Sequence, residues 1–243
     1  MNPPPADLSY LHERFKELAS VVRDYCETGV QGETQESIRL LCDAMGQLVD
    51  ILAHIEAGSE GAASGPAELT TLGEYGLHLI EDLGRLAGSA DQADLRREIE
   101  HLSLPFALWI ARQGGEIRNL PPVVNALAHF ANQNSQPHVM AGLYTCCCEL
   151  LEAISPAWEN PSSTDPNDPW RLLLLNRAIV ATRSHNPELI EPAFDAIVES
   201  LPAEAEQFFA EGMEQMTIIG YPRHVRDILR RYYLTHTRSK QLH

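Results

Sequence analysis

Apolar side chains recur along this chain at intervals of three and four and never in strict alternation, so the pattern predicts helices and no sheet. The spacing is most regular in the N-terminal third. Leu8, Leu11, Phe15, Leu18, Val22 and Tyr25 mark a first helix. Ile38, Leu41, Met45, Leu48, Leu52 and Ile55 mark a second, and Leu69, Leu72, Gly76, Leu79, Leu83 and Leu86 a third. Each series steps 3, 4, 3, 4, 3. A narrow seam of about 3.5-residue period is what helices crossing at a shallow angle require. The links, Gly29 to Gly32 and the stretch 58–67, are short, which makes neighbouring helices antiparallel. Residues 6–103 therefore read as a helical bundle of three or four members, after a flexible lead at 1–5.

The third helix carries Gly73, Gly76 and Gly84. Each costs about 1 kcal/mol against alanine in a helix interior. Close packing of a neighbour is the simplest compensation, and a ligand resting on the glycines is the alternative. Residues 91–103 continue as a charged helix broken by Pro105. The central region, 104–155, then holds three helices: FALWIARQGG, LPPVVNALAHFANQN and PHVMAGLYTCCCELLEAIS. The last is apolar on most sides, which places it centrally. Residues 156–168 are rich in Pro, Ser, Asn and Asp and read as an exposed loop or linker.

Residues 169–235 read as four further helices. Asp168 is a good N-cap with Pro169 at the first helical position. Trp170, Leu173, Leu174, Ala178 and Ala181 recur at helical spacing, widened by Leu172, Leu175 and Ile179, and this helix stops near Asn186 ahead of Pro187. A second helix runs from Leu189 to Leu201 with Pro192 in its first turn. Pro202 opens a third, which Gly220 ends, and Val225, Ile228, Leu229, Tyr232 and Tyr233 mark the last. These stripes cover about half of each helix, which suits stacked helical hairpins. Pro105, Pro137, Pro169 and Pro202 lie 32, 32 and 33 residues apart, close to the period of helical-hairpin repeats. The tetratricopeptide consensus residues do not line up. The expected fold is all-α: an antiparallel N-terminal bundle continuing into stacked helical hairpins, a degenerate α-solenoid of tetratricopeptide- or HEAT-like shape, with a basic tail at 236–243.

Composition narrows the functions this fold can serve. Hydrophobic residues make up 44% of 243, enough for a substantial core. The formal net charge of −16 argues against duplex nucleic acid as a partner. Yet Arg223, Arg226, Arg230, Arg231, Arg238 and Lys240 meet only Asp227 after Pro222, so the C-terminus is locally basic. The acidity solubilises the protein, as in salt adaptation, or attracts a basic partner. Without an apolar run long enough to span a bilayer, no membrane association is expected. The opening MNPPPADLSY lacks the basic and apolar regions of a signal peptide, and the five cysteines include no CxxC pair, so the cytoplasm is the default compartment.

Candidate chemistry is sparse. Glu74, His78 and Glu81 share a helical face, and Glu98 and His101 form a Glu-x-x-His, but carboxylate-bridged metal bundles need that motif on two helices. No cofactor or metal is expected, and these five residues are the only metal candidates. Cys146, Cys147 and Cys148 point about 100° apart in succession on a helix and read as buried small apolar residues, with no Lys or Arg near in sequence to activate a thiol. Arg223, His224, Arg226, Arg230 and Tyr233 mix basic and aromatic groups that suit an acidic peptide, a phosphate or single-stranded RNA. The blander account is a terminal helix that neutralises the acidic body.

The expected function is a non-enzymatic cytoplasmic scaffold or adaptor, monomer or homodimer. It would hold a protein or peptide partner in a groove lined by Trp109, Asn125, Phe130, Trp158 and Trp170, with Arg223, His224, Arg226, Arg230 and Tyr233 as further contacts. One alternative is an acidic, chaperone-like regulator that masks a basic or apolar partner. Another is a helical metal-dependent enzyme built on the histidines and carboxylates of helices three and four.

Overall fold

The computed structural model describes residues 5–29, 33–58, 65–88, 93–159 and 165–238. The fold is all-α. The helices are α1 (Leu8–Gly29), α2 (Glu33–Glu56), α3 (Pro66–Gly88), α4 (Ala93–Glu100), α5 (Ser103–Arg112), α6 (Pro121–Gln133), α7 (Pro137–Ala153), α8 (Pro169–Ser184), α9 (Pro187–Ser200), α10 (Ala205–Ile219) and α11 (Arg223–Arg238). Among the described residues there is no strand. One isolated parallel bridge joins Ile117 to Ile154, with the Ile117 N–H donated to the Ala153 carbonyl at 2.7 Å. No helix among them is long and apolar enough to cross a membrane. The lead at 1–4, residues 160–164 of the loop, the tail from 239 and the side chains of Tyr25 and Cys26 lie outside the described residues.

The chain divides into two compact units. One runs through His129 and includes Glu149–Pro156; the other comprises Phe130–Cys148 and the chain from Ala157 onward.

In the N-terminal unit α1 packs on α2 and α2 on α3, as short links demand. Helix α4 lies against α3 and α1, and α5 against the same two. Helix α3 thus touches α2, α4 and α5, and its buried face is wider than a heptad seam. Leu77 and Ile80 are each 1% exposed, as deep as the seam residue Leu83 at 2%. The glycines of α3 make room for these neighbours. A Cβ on Gly73 would stand 3.0 Å from the Ile110 side chain, and one on Gly84 would stand 3.2 Å from Glu100 Cγ.

Pro105 does not break α4. That helix ends at Glu100, and Pro105 sits in the first turn of α5, where its missing N–H leaves no bond unmade. The stop comes earlier, through a turn in which the Leu102 N–H bonds the Ile99 carbonyl at 3.0 Å.

In the C-terminal unit α8 pairs with α9, α10 pairs with α11, and α11 also lies on α9. The caps are those the sequence implies. Asp168 accepts from the Arg171 N–H at 3.0 Å, and Asn186 accepts from the Glu188 N–H at 3.1 Å. Because α9 begins at Pro187, Pro192 falls inside the helix rather than in its first turn. The hydroxyl of Tyr232 on α11 donates to Asp195 on α9 at 2.6 Å, and Arg231 pairs with Glu191 at 2.9 Å. Burial, then Asp195, pushes the Tyr232 phenol far above its ordinary range, so it remains a donor. Arg171 pairs with Glu204, tying α8 to the turn before α10.

Candidate functional site

Helix α8 is apolar around most of its circumference. One side is buried at Leu173, Ala178 and Ala181, while Ile179 remains 42% exposed. Helix α10 closes with Ile218 and Ile219, which are 75% and 59% exposed. Between these helices lies a cavity of about 690 Å³, wholly within the C-terminal unit. Leu175, Ile179, Thr182 and Arg183 of α8 form one wall, and Phe208, Gly212, Gln215, Met216 and Ile219 of α10 another. Phe194 of α9 and Leu229 of α11 form the apolar floor, and Asn132, Ser135, Glu211, His185 and Tyr221 complete the lining. The volume falls in the range of ligand pockets, and the pattern of apolar walls with a few polar groups is theirs too.

His185 marks the rim. It caps α8 with φ 60°, a left-handed conformation uncommon outside glycine. Its ring stands edge-on to Tyr221 with centroids 5.5 Å apart, and its carbonyl accepts from His224 Nε2 at 2.8 Å. Burial lowers the basicity of the His185 imidazole, and the neighbouring His224 lowers it further. Burial raises the Tyr221 phenol, opposed by Arg183. Arg183 itself donates to the Asn134 carbonyl, which orients its guanidinium at the cavity wall.

The sequence candidates are distributed differently. Trp109 is 2% exposed in the N-terminal unit and donates its indole N–H to Glu56 at 3.1 Å. Asn125 is exposed in that unit. In the C-terminal unit Trp170 is buried in α8, while Phe130 on α6 and Trp158 in a short 3-10 turn are half-buried. None of these five lines the cavity. Arg223, His224, Arg226 and Arg230 are exposed on α11, Tyr233 is half-buried there, and Arg223 lies 3.6 Å from Asp227. Of these, His224 reaches the cavity rim through its bond to His185.

The metal candidates are engaged with other groups. Glu74 lies 3.5 Å from Arg118, Glu81 accepts from Asn119 at 3.3 Å, and Glu98 pairs with Arg14. His78 Nδ1 lies 2.9 Å from the Glu74 carbonyl oxygen. The ring of His101 stands 4.2 Å from that of His129. Among the described residues no three His, Cys, Asp or Glu side chains are grouped to hold a metal ion.

Burial, and after it His129, lowers the basicity of His101; Glu98 and Glu100 oppose this, and Arg97 adds to it. His185 and His101 therefore bind protons more readily unfolded than folded. Their contribution to stability is complete above the ordinary histidine value of about 6.5 and declines as pH falls through the lower folded values. Thermal melts from pH 7.5 to 5 are expected to show a falling midpoint. The fall should be shallower in a His101→Gln, His185→Asn double variant, since asparagine tolerates the left-handed cap. Parallel curves for the two proteins would show that neither ring contributes.

Comparison with protein-family models, with curated proteins and with solved structures gives no match.

Proposed function

We propose that this chain is a helical interaction protein whose C-terminal unit receives apolar side chains of a protein or peptide partner. One observation carries the reading: an apolar cavity of about 690 Å³ opens beside Ile179 and Ile219, both exposed. A small molecule enclosed in the cavity would leave those isoleucines wet. An amphipathic helix laid across the opening would cover them while its anchors fill the interior, the mode by which helices dock in grooves. Exposed apolar groups that border a cavity are a stronger mark of docking than scattered surface leucines.

The test is a double variant, Ile179→Glu with Ile219→Glu. Both positions are exposed, so stability should change by no more than about 0.5 kcal/mol. Two buried or rim carboxylates should weaken partner binding at least tenfold. Affinity capture with wild type and double variant side by side is expected to lose the partner with the variant. Arg226→Glu, on the exposed face of α11, should retain it. Equal recovery with wild type and the isoleucine variant would refute the reading.

A further inference from the structure

Arg177, on α8, holds a cation with no carboxylate paired to it among the described residues. Its Nη2 donates to the Tyr144 hydroxyl at 3.1 Å, its guanidinium carbon stands 5.2 Å from the Tyr144 ring centre, and its buried Nε has no hydrogen-bond partner. Tyr144 lies on α7, one turn before Cys148, and its hydroxyl is hydrogen-bonded to the Cys148 thiol. Burial pushes the Tyr144 phenol up, Arg177 pulls it back, and the bond to Cys148 raises it again. The phenol therefore keeps its proton and can offer it to the sulfur while accepting from the arginine. All three residues belong to the C-terminal unit.

The other thiols differ. Cys42, Cys146 and Cys147 are buried, and Cys148 is partly exposed. Burial raises the Cys147 thiol well above its ordinary value, with Cys146 and Cys148 adding to the effect, so it stays protonated and inert.

We propose that Cys148 is a modification site for anionic low-molecular-weight disulfides, with Tyr144 and Arg177 as positioning residues that hold the sulfur's charge and draw the reagent in. In the reaction the Cys148 thiolate attacks one sulfur of the disulfide. A new S–S bond forms, the original one breaks, and the departing thiolate takes up a proton from solvent. The proton first lost by Cys148 also goes to solvent, and no net oxidant is consumed beyond the disulfide. Cys147 points about 100° away on the helix and cannot displace the adduct by forming a disulfide with its neighbour. The mixed disulfide therefore persists until an external thiol removes it.

The charge of the protein makes the test sharp. A chain of formal charge −16 should repel glutathione disulfide, an anion, and attract cystamine, a cation. Site-resolved mass spectrometry of the intact chain at pH 7.5 is expected to show Cys148 reacting at least threefold faster with glutathione disulfide than with cystamine. Arg177→Gln should reverse that preference, Arg177→Lys should keep it, and Tyr144→Phe should slow both reagents together. A variant that merely loosened the fold would speed Cys148 and expose Cys146 and Cys147 as well, the opposite sign, and would count against the positioning roles. Preference for cystamine in the wild type would overturn the proposal by itself, whatever the variants do.

Discussion

Gly76→Ala is expected to destabilise the N-terminal unit, although alanine is the best helix former and glycine nearly the worst. Propensity alone would favour the substitution by about 1 kcal/mol. The Cβ, however, would stand 2.4 and 2.7 Å from two carbons of the Phe106 ring and 2.8 Å from Leu48 Cδ2. Phe106 and Leu48 are each 2% exposed, so neither side chain has anywhere to move. Overpacking of a filled core costs about 1–3 kcal/mol, and two immovable partners place this case at or beyond the upper end. The net loss should be about 2 kcal/mol, on the order of 5 °C in melting temperature. Gly46→Ala on α2 is the control, since a Cβ there meets nothing within 4 Å. It should gain about 0.5–1 kcal/mol. Gly76→Ala combined with Phe106→Leu should recover part of the loss, because shortening the ring frees the space. A Gly76→Ala protein as stable as wild type would mean that α5 does not lie where the glycines place it.

The same contact shows how far the sequence could be read. Leu8, Leu11, Phe15, Leu18 and Val22 on α1 are all buried, as their heptad spacing implies. On α3 the spacing marked one seam, yet Leu77 and Ile80 are buried beside it, because α3 meets three helices rather than one. The signal was there in another form: three glycines on one helix are compensated only by close neighbours. Pro105 misled because a proline tolerates a first turn as readily as it ends a helix; only the turn at Leu102 distinguishes the two.

The cavity was not legible, since its walls come from α6, α8, α9, α10 and α11 and no local pattern joins them. What could be seen was an excess: α8 and the end of α10 carry more apolar residues than one buried stripe needs. Likewise Arg177 and Cys148 lie on different helices, so a search for basic residues near the cysteines in sequence could not pair them. Spacing reports which face of a helix is apolar. It does not report what another helix brings to that face.

Phe194→Ala should be the most damaging single truncation in the C-terminal unit. Phe194 is fully buried and meets three rings edge-on: Phe209 at 5.1 Å, Tyr232 at 5.2 Å and Phe208 at 5.9 Å. Truncating a buried phenylalanine costs about 3–5 kcal/mol, and each edge-to-face pair contributes about 0.5–1.5 kcal/mol beyond its area. These terms overlap, and the measured loss should lie near 4 kcal/mol. The ring also lines the cavity, so its removal would enlarge an opening that solvent already reaches. Water entering there cannot replace the lost contacts, because the newly bared surface is the apolar edge of other aromatic rings. Phe194→Leu keeps most of the volume and should cost under about 1.5 kcal/mol. Tyr232→Phe removes only the 2.6 Å bond to Asp195 and should cost about 1 kcal/mol. Urea unfolding, with hydrogen exchange followed in α8 to α11, separates the three. The expected order is Ala far below Phe and Leu below Tyr only slightly, and an alanine variant within 1 kcal/mol of wild type would show that the α9–α10–α11 rings do not form the core of this unit.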